Sequence, residues 1–468
     1  MNIINFDNEK NLQKAALIQN NKQICYLELR EISNQVALQF EEYKIFSGDV
    51  VLIILPNSID LVILILVCLS LNVRPLITCS LNAIEIDIIK LNPKFIFFGK
   101  DFQIENLEIQ NTNKTHLFNT VFFIKNKNVH DNSLVDTHTR LLVTSSGTTR
   151  RKKIIQLHEI GIIHNINSNI KALGIGKDDV TLMLLPIEYS YGLIAQLLTH
   201  LNVGATIVLC DETFYPLHQS YIINQFKITS IFTTPILLRK CVNSLRSFEN
   251  VSFDSLKFIT IGGSFAEKTL IEDAQKIFKC NIILTYGLAE AGPRVATNII
   301  RMHCQCNDYN SVGVPLDGVF IEIDQEKHGV GNIIKNNIGR IKINSPSVTN
   351  GYLGEDENNI IPKKMVISQD VGYLDSNGQL YIVGRVNQYI ETKKGIVWFT
   401  EIAKKLYNTR GIIKVLINRI DEGLEIKYTP FKFSDDYETI FLEILQKQYN
   451  LQPKNIIIKK ERNLNTTK

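Results

Sequence analysis

Thr144, Ser145, Ser146, Gly147, Thr148 and Thr149 form a run of small and hydroxylated residues, and Arg150, Arg151, Lys152 and Lys153 follow directly. Such a run offers backbone N–H groups and hydroxyls at close range, because small side chains let the backbone approach a ligand. With cations at its exit, the loop suits a polyphosphate. It is not a Walker loop, since no Gly-Lys-Ser/Thr follows a spaced glycine. A second group follows the apolar residues 282–284: Tyr286, Gly287 and Glu290. An aromatic ring there can stack on a purine, a glycine permits close approach, and a carboxylate can hold Mg2+ against phosphates. A third group is Asp370 followed by Gly384 and Arg385. A carboxylate backed by an arginine can accept hydrogen bonds from a pair of sugar hydroxyls.

These groups need a scaffold that presents strand ends. Short apolar runs at 50–55, 75–78, 95–98, 181–185, 206–209, 230–233, 258–261 and 282–284 predict strands. Helical patterns at 26–43, 59–71, 190–201 and 267–278 separate them. Alternation of this kind predicts an α/β fold with parallel strands covered on both faces, and ligands in such folds bind at the carboxyl ends of strands. From about residue 311 the runs shorten and glycine turns multiply (311–318, 339–343, 378–383), which predicts a smaller β-rich unit. A boundary near 384–390 precedes a last segment with helices expected around 401–406 and 437–449.

The bulk properties exclude several classes. A chain of 468 residues with 45% hydrophobic and 21% charged residues is an ordinary globular protein of more than one folding unit. The net charge of +4 and the lack of a long basic block argue against nucleic-acid binding. The apolar run 61–71 is bounded by Asp60 and Asn72 and is far short of the roughly 20 residues of a bilayer span. It reads as a buried helix, and no membrane span is expected. The eight cysteines are scattered, which predicts reduced thiols, and with no leader pattern at the N-terminus a cytoplasmic location. His303, Cys304 and Cys306 lack a second ligand pair at zinc-site spacing.

In order and type these motifs resemble the adenylate-forming (AMP-binding) superfamily of acyl-CoA synthetases, aryl-acid ligases and stand-alone adenylation domains. Residues 144–149 and Lys153 resemble its phosphate loop, with Arg150, Lys152 and Ile154 standing where glycine, proline and glycine are usual. Tyr286, Gly287 and Glu290 match its Tyr-Gly-x-Thr-Glu segment, with Ala289 in place of threonine. Asp370 and Arg385 match its Asp…Gly-Arg pair. Gly262, Gly263 and Ser264 resemble its Gly-Gly-Ala turn, and Tyr189 takes the histidine position of a Pro-x-x-His-x-x-Gly stretch with Glu188 beside it. Lys468 falls at the family's C-terminal catalytic lysine, with Thr467 for its preceding glycine.

The resemblance implies a large N-terminal domain, 1–386, of two α/β layers plus a distorted β-barrel, and a small mobile C-terminal lid, 387–468, rotating about Asn387 and Gln388. It implies ATP and Mg2+ as cofactors and adenylation of a small carboxylic acid. The acyl group then passes to a thiol, from coenzyme A or the phosphopantetheine of an acyl or peptidyl carrier protein. In these roles Lys468, Glu290 and Lys153 serve catalysis, with Glu290 also the metal ligand, while the loop, the glycine turn, Tyr286, Gly287, Asp370 and Arg385 hold the nucleotide. Tyr189 and Glu188 line the acid pocket. Three alternatives stay open: an amino-acid substrate paired with Glu188, an amine acceptor giving an amide, and a catalytically silent nucleotide-binding relative.

Overall fold

The computed structural model describes residues 12–78, 88–102, 114–126, 134–145, 153–210, 216–246, 252–325, 337–354, 364–392, 395–420, 423–452 and 455–462. Two large sheets dominate it. One has seven strands in the order Thr115–Phe118, Val121–Lys125, Phe95–Gly99, Val50–Ile54, Arg74–Thr78, Thr139–Thr144 and Ile154–His158. Its central strands are parallel and its flanks antiparallel. The other has thirteen strands. Five parallel strands carry its middle: Asn281–Tyr286, Phe258–Ile261, Ser230–Thr233, Val180–Met183 and Thr206–Leu209.

The helix Ile59–Ser70 shows why its sequence is so apolar. It lies in the core that joins the two sheets, and every residue in it except Asp60 and Ser70 is buried. Ser58 caps it, its hydroxyl accepting from the Leu61 N–H at 3.1 Å. Burial on all sides, not a membrane, accounts for the run. Among the described residues no helix is long and apolar enough to cross a bilayer.

The β-rich unit expected after 311 forms, with a core of its own, and is joined edge to edge to the large sheet; two other expectations change in detail. Ala296–Ile300 pairs antiparallel with Asn281–Tyr286, and Ser311–Pro315, Leu380–Arg385, Met365–Leu374, Gly339–Asn344 and Phe320–Asp324 continue the same sheet. The helix expected at 190–201 is a π-helix, Tyr191–Leu198, followed by the short helix Thr199–Asn202. The cysteines are not all thiols: Cys304 and Cys306 form a disulfide next to His303, whose φ is 57°, while Cys25, Cys68, Cys210, Cys241 and Cys280 are free.

The last segment has a core of its own. Helices Phe399–Tyr407 and Glu438–Tyr449 pack on the three-stranded sheet of Ile412–Ile420, Gly423–Pro430 and Ile456–Lys460, burying Ile402, Leu406, Ile426, Phe441 and Leu445. It touches the larger body through Tyr407, whose ring lies 5.7 Å from that of Phe265 and 3.7 Å from the Arg239 guanidinium carbon. Arg239 is held by a buried pair of bonds to Glu267, at 3.1 and 2.5 Å.

Candidate functional site

The sheets meet at their strand ends. Asn57, in the turn after Val50–Ile54, donates to the Leu185 carbonyl at 2.9 Å and accepts from the Ile187 N–H at 2.9 Å. Thr78, ending its own strand, donates to Glu188 at 3.2 Å. Glu188 is thus a bridge between the sheets, and half-buried Tyr189 follows it.

Thr144 and Ser145 are buried where the strand Thr139–Thr144 ends. Ser145 closes the base of the following loop: its N–H donates to the Lys153 carbonyl at 2.8 Å, and its hydroxyl accepts from the Lys153 N–H at 3.1 Å. Ser146, Gly147, Thr148 and Thr149 lie outside the described residues, as does Lys468. The Lys153 ammonium sits 4.5 Å from the centre of the Tyr352 ring. The Tyr352 hydroxyl in turn donates to Glu290 Oε1 at 3.0 Å. A tyrosine that sequence reasoning passed over therefore links the loop lysine to the candidate metal carboxylate. Its local pattern, Gly351 before an aromatic, carries no signal of that role.

Glu290 stands in the short turn Ala289–Ala291. The chain folds back tightly here, so a Cβ at Gly287 would lie 1.8 Å from the Pro293 carbonyl oxygen. Only glycine fits.

Asp370 and Arg385 are direct cross-strand partners, with Arg385 Nε 3.1 Å from Asp370 Oδ1. The other carboxylate oxygen, Oδ2, accepts from the Tyr286 hydroxyl at 3.0 Å. Tyr286 thus joins this pair from across the sheet. Burial raises its pKa well above the ordinary tyrosine value, and the Asp370 charge raises it further, so it is a donor at neutral pH. The Ser368 hydroxyl accepts from the Asp370 N–H at 3.0 Å and fixes the approach of the backbone.

Gly262 forms a corner with Tyr191 and Thr285. A Cβ there would lie 2.7 Å from Thr285 Oγ1 and 2.8 Å from the Tyr191 ring. The Tyr191 hydroxyl is 2.6 Å from Thr260 Oγ1, and burial raises its pKa. Gly263 and Ser264 are exposed beyond this corner, beside Phe265 and its contact with the C-terminal segment. Tyr191 opens the π-helix, a wider turn often found at functional sites. Among the described residues no cluster of three His, Cys, Asp or Glu is placed to hold a metal by itself. A single carboxylate, linked through Tyr352 to Lys153, still fits Mg2+, which is commonly held by one or two carboxylates together with phosphate oxygens.

Comparison with known proteins shows the family. Residues 6–353 match the family model described as AMP-binding enzyme. The chain belongs to that family. It is accordingly an adenylate-forming enzyme of the ligase type. It is similar to the 2-succinylbenzoate–CoA ligase of Oceanobacillus iheyensis, 23% identical over 86% of this chain and 82% of that protein. It is also similar to 4-coumarate–CoA ligase 2 of Nicotiana tabacum, 26% identical over 84% and 76%. Its fold matches the o-succinylbenzoate coenzyme A synthetase of Bacillus subtilis in complex with ATP and magnesium ion. That match has a TM-score of 0.76 at 20% identity and covers 97% of this chain and 94% of that one.

Proposed function

We propose that this enzyme activates a small carboxylic acid with ATP and passes the acyl group to the thiol of coenzyme A. A carboxylate oxygen attacks the α-phosphorus of ATP, pyrophosphate leaves, and an acyl-adenylate forms. The thiol then attacks the acyl carbon, releasing AMP and forming the thioester. One observation carries the reading. The strand Asn281–Tyr286 and its turn place Tyr286 on the Asp370–Arg385 pair and Glu290 on the Tyr352–Lys153 contact, so ribose and phosphate partners surround one strand end.

In this reading Asp370 accepts from the ribose hydroxyls while Arg385 keeps it ionised and oriented. The loop at 144–149 and Lys153 hold the outgoing phosphates. Glu290 would hold Mg2+, which supplies charge neutralisation on those phosphates. Gly263, with open space about it, leaves room for the nucleotide, while Gly262 lets Tyr191 and Thr285 close the corner behind it, and Lys468 neutralises charge at the reacting oxygen. Residues 1–386 form the nucleotide and acid domain and 387–468 the lid. Asn387, with φ of 74° between Val386 and Gln388, supplies a left-handed pivot that asparagine tolerates. Both relatives named above are acid–CoA ligases, which supports the acceptor.

The test is ATP–pyrophosphate exchange over a panel of fatty, aryl, amino and dicarboxylic acids, followed by coenzyme A thioester assay. Acid-dependent exchange that collapses in Lys153→Met and Lys468→Ala, with thioester formed from coenzyme A, is expected. ATP binding without exchange for any acid would refute the activity. Exchange followed by transfer only to a carrier protein or an amine would refute the acceptor alone.

A further inference from the structure

Cys304 and Cys306 close a disulfide over a single intervening residue, in the loop that joins Ala296–Ile300 to Ser311–Pro315. So small a ring removes little freedom from the unfolded chain, and it stabilises the fold far less than a bridge across a long loop. Its surroundings point to another use. Cys306 is exposed and Cys304 half-buried, with exposed His303 and Gln305 beside them, so a thiolate in solution can reach the sulfurs. The buried thiols are poor competitors for such chemistry: burial pushes Cys241 and Cys280 up to about 12.

The loop touches both halves of the site. Directly after Cys306, Asn307 closes its base: Oδ1 accepts from the Arg301 N–H at 3.0 Å and Nδ2 donates to the Arg301 carbonyl at 2.7 Å. Asp308 comes next, and its Oδ2 accepts from the Tyr381 hydroxyl at 2.5 Å. Tyr381 stacks on Tyr373 at 4.7 Å, and the two are cross-strand partners in the hairpin whose other end pairs Asp370 with Arg385. Asp308 also faces the C-terminal segment. Burial lowers the pKa of Lys404, on the helix Phe399–Tyr407, and the charges of Glu401 and Asp308 offset part of that effect. The Lys268 ammonium lies 5.1 Å from the centre of the Tyr309 ring, one residue along from the Glu267 that holds Arg239 against Tyr407. The disulfide therefore braces a loop that leans on the Asp370–Arg385 hairpin and on the docked C-terminal segment alike.

We propose that Cys304 and Cys306 form a redox switch, opened by a dithiol reductant, that loosens the Asp370–Arg385 hairpin and the seating of the C-terminal segment together. The consequence for nucleotide binding rests on the adenylation reading above. One thiolate of the reductant attacks Cys306 Sγ; a new S–S bond forms, and the Cys304 thiolate leaves and takes up a proton. The second thiolate of the reductant then attacks its partner sulfur in that mixed disulfide, and the Cys306 thiolate leaves and is protonated. The chain has gained two electrons and two protons, and the reductant that supplied them is left as a disulfide. With the ring open, residues 304–306 no longer fix the approach of Asn307 and Asp308. Asn298 Nδ2 still donates to the Asp308 carbonyl at 2.7 Å, so reduction relaxes Asp308 without releasing it.

The experiment equilibrates the whole protein with reduced or oxidised dithiothreitol, and alkylation with peptide mapping records the state of Cys304 and Cys306. Trp398, the one tryptophan of the chain, packs on Gly384 beside the C-terminal segment, where a Cβ would lie 2.4 Å from its ring, and it reports the seating of that segment. Reduction is expected to red-shift its emission and to weaken ATP affinity, read by calorimetric titration, by about 5-fold, the low end of coupling between separate sites. Cys304→Ser/Cys306→Ser should give the reduced values with either reagent. Asp308→Asn should keep the disulfide yet lose most of the response. A disulfide that opens while emission and ATP affinity stay unchanged overturns the proposal. So does a pair that oxidised dithiothreitol leaves as thiols, and so does a response that persists in the double serine variant. Absence of ATP binding in both redox states is a different result: it removes the nucleotide reading, and the Trp398 shift still decides the switch.

Discussion

Replacing Asp370 with asparagine separates the nucleotide role of the Asp370–Arg385–Tyr286 cluster from its contribution to stability. The substitution keeps the shape and one acceptor but removes the charge. Arg385 Nε at 3.1 Å loses its counter-ion, and an amide N–H2 meets the Tyr286 hydroxyl unless the amide flips. The Arg385 side chain is 34% exposed, so the pair is screened and its loss should cost the fold about 1 kcal/mol at most. Ribose binding should suffer more. A hydrogen bond to a charged acceptor contributes about 1.5–3 kcal/mol, and in the proposed site two ribose hydroxyls would share this carboxylate, so roughly 3 kcal/mol should go. That corresponds to an ATP affinity about 100-fold weaker. Calorimetric titration with ATP reads this directly, with inorganic triphosphate and 2′,3′-dideoxy-ATP as controls. Both lack the hydroxyls and should bind wild type and Asp370→Asn alike. An ATP affinity within threefold of wild type, or an equal loss for inorganic triphosphate, would refute the ribose assignment.

Two further outcomes follow from other contacts. Tyr352→Phe keeps the ring under Lys153 but removes the bond to Glu290, so the Mg2+ concentration for half-maximal exchange should rise about fivefold, a loss of about 1 kcal/mol; Tyr352→Leu should also weaken the ATP dependence. His200 is fully buried and neutral, its Nδ1 2.7 Å from the Gln196 carbonyl, and burial holds its pKa near 4. With the folded pKa below the unfolded one, its contribution is present above about pH 6.5 and is lost as pH falls toward 4, by roughly 3 kcal/mol; urea unfolding at pH 7, 5 and 4 should show the loss in wild type and a shallower one in His200→Gln.

What could be read from the chain alone divides along the range of the interaction. The strands Val50–Ile54, Thr206–Leu209, Ser230–Thr233 and Phe258–Ile261 declare themselves through short, wholly apolar runs, because a strand covered on both faces has no polar side to show. The π-helix does not, since its apolar residues also satisfy an α-helical reading. Its start lies where a Cβ on Gly192 would come within 2.6 Å of the Pro186 carbonyl, a contact that no local pattern announces. Asp370 and Arg385 can be paired from their order, but the Tyr286 bond to Asp370 spans 84 positions and the Tyr352 bond to Glu290 spans 62. Arg294 stands in plain view after Glu290, yet its full burial, with Nε and Nη1 unpartnered among the described residues, is something only packing reveals. The Cys304–Cys306 disulfide departs from the reduced thiols that eight scattered cysteines predict, because two residues of separation set no framework apart from that scatter.

The turn after the strand Asn281–Tyr286 ties these parts together, and Gly287 is where that coupling can be broken. Thr285 belongs to the Gly262 corner, Tyr286 to the Asp370–Arg385 pair, Glu290 to the Tyr352–Lys153 contact and Arg294 to the buried charge, all within one strand and the turn that leads to the next. A Cβ at position 287 would stand 1.8 Å from the Pro293 oxygen and 2.5 Å from its carbonyl carbon, both backbone atoms, so the turn itself must open. Opening it moves Tyr286 away from Asp370 and Glu290 away from Tyr352 together. Gly287→Ala should therefore raise both the ATP requirement and the Mg2+ requirement, where Asp370→Asn moves mainly the first and Tyr352→Phe mainly the second. Backbone overlap of this kind costs about 1–3 kcal/mol, so the variant should remain folded but melt lower. Steady-state exchange with ATP and Mg2+ varied independently distinguishes the cases. If Gly287→Ala lowers the Tm and leaves both requirements unchanged, the turn is only a packing element and the shared positioning argued here is wrong.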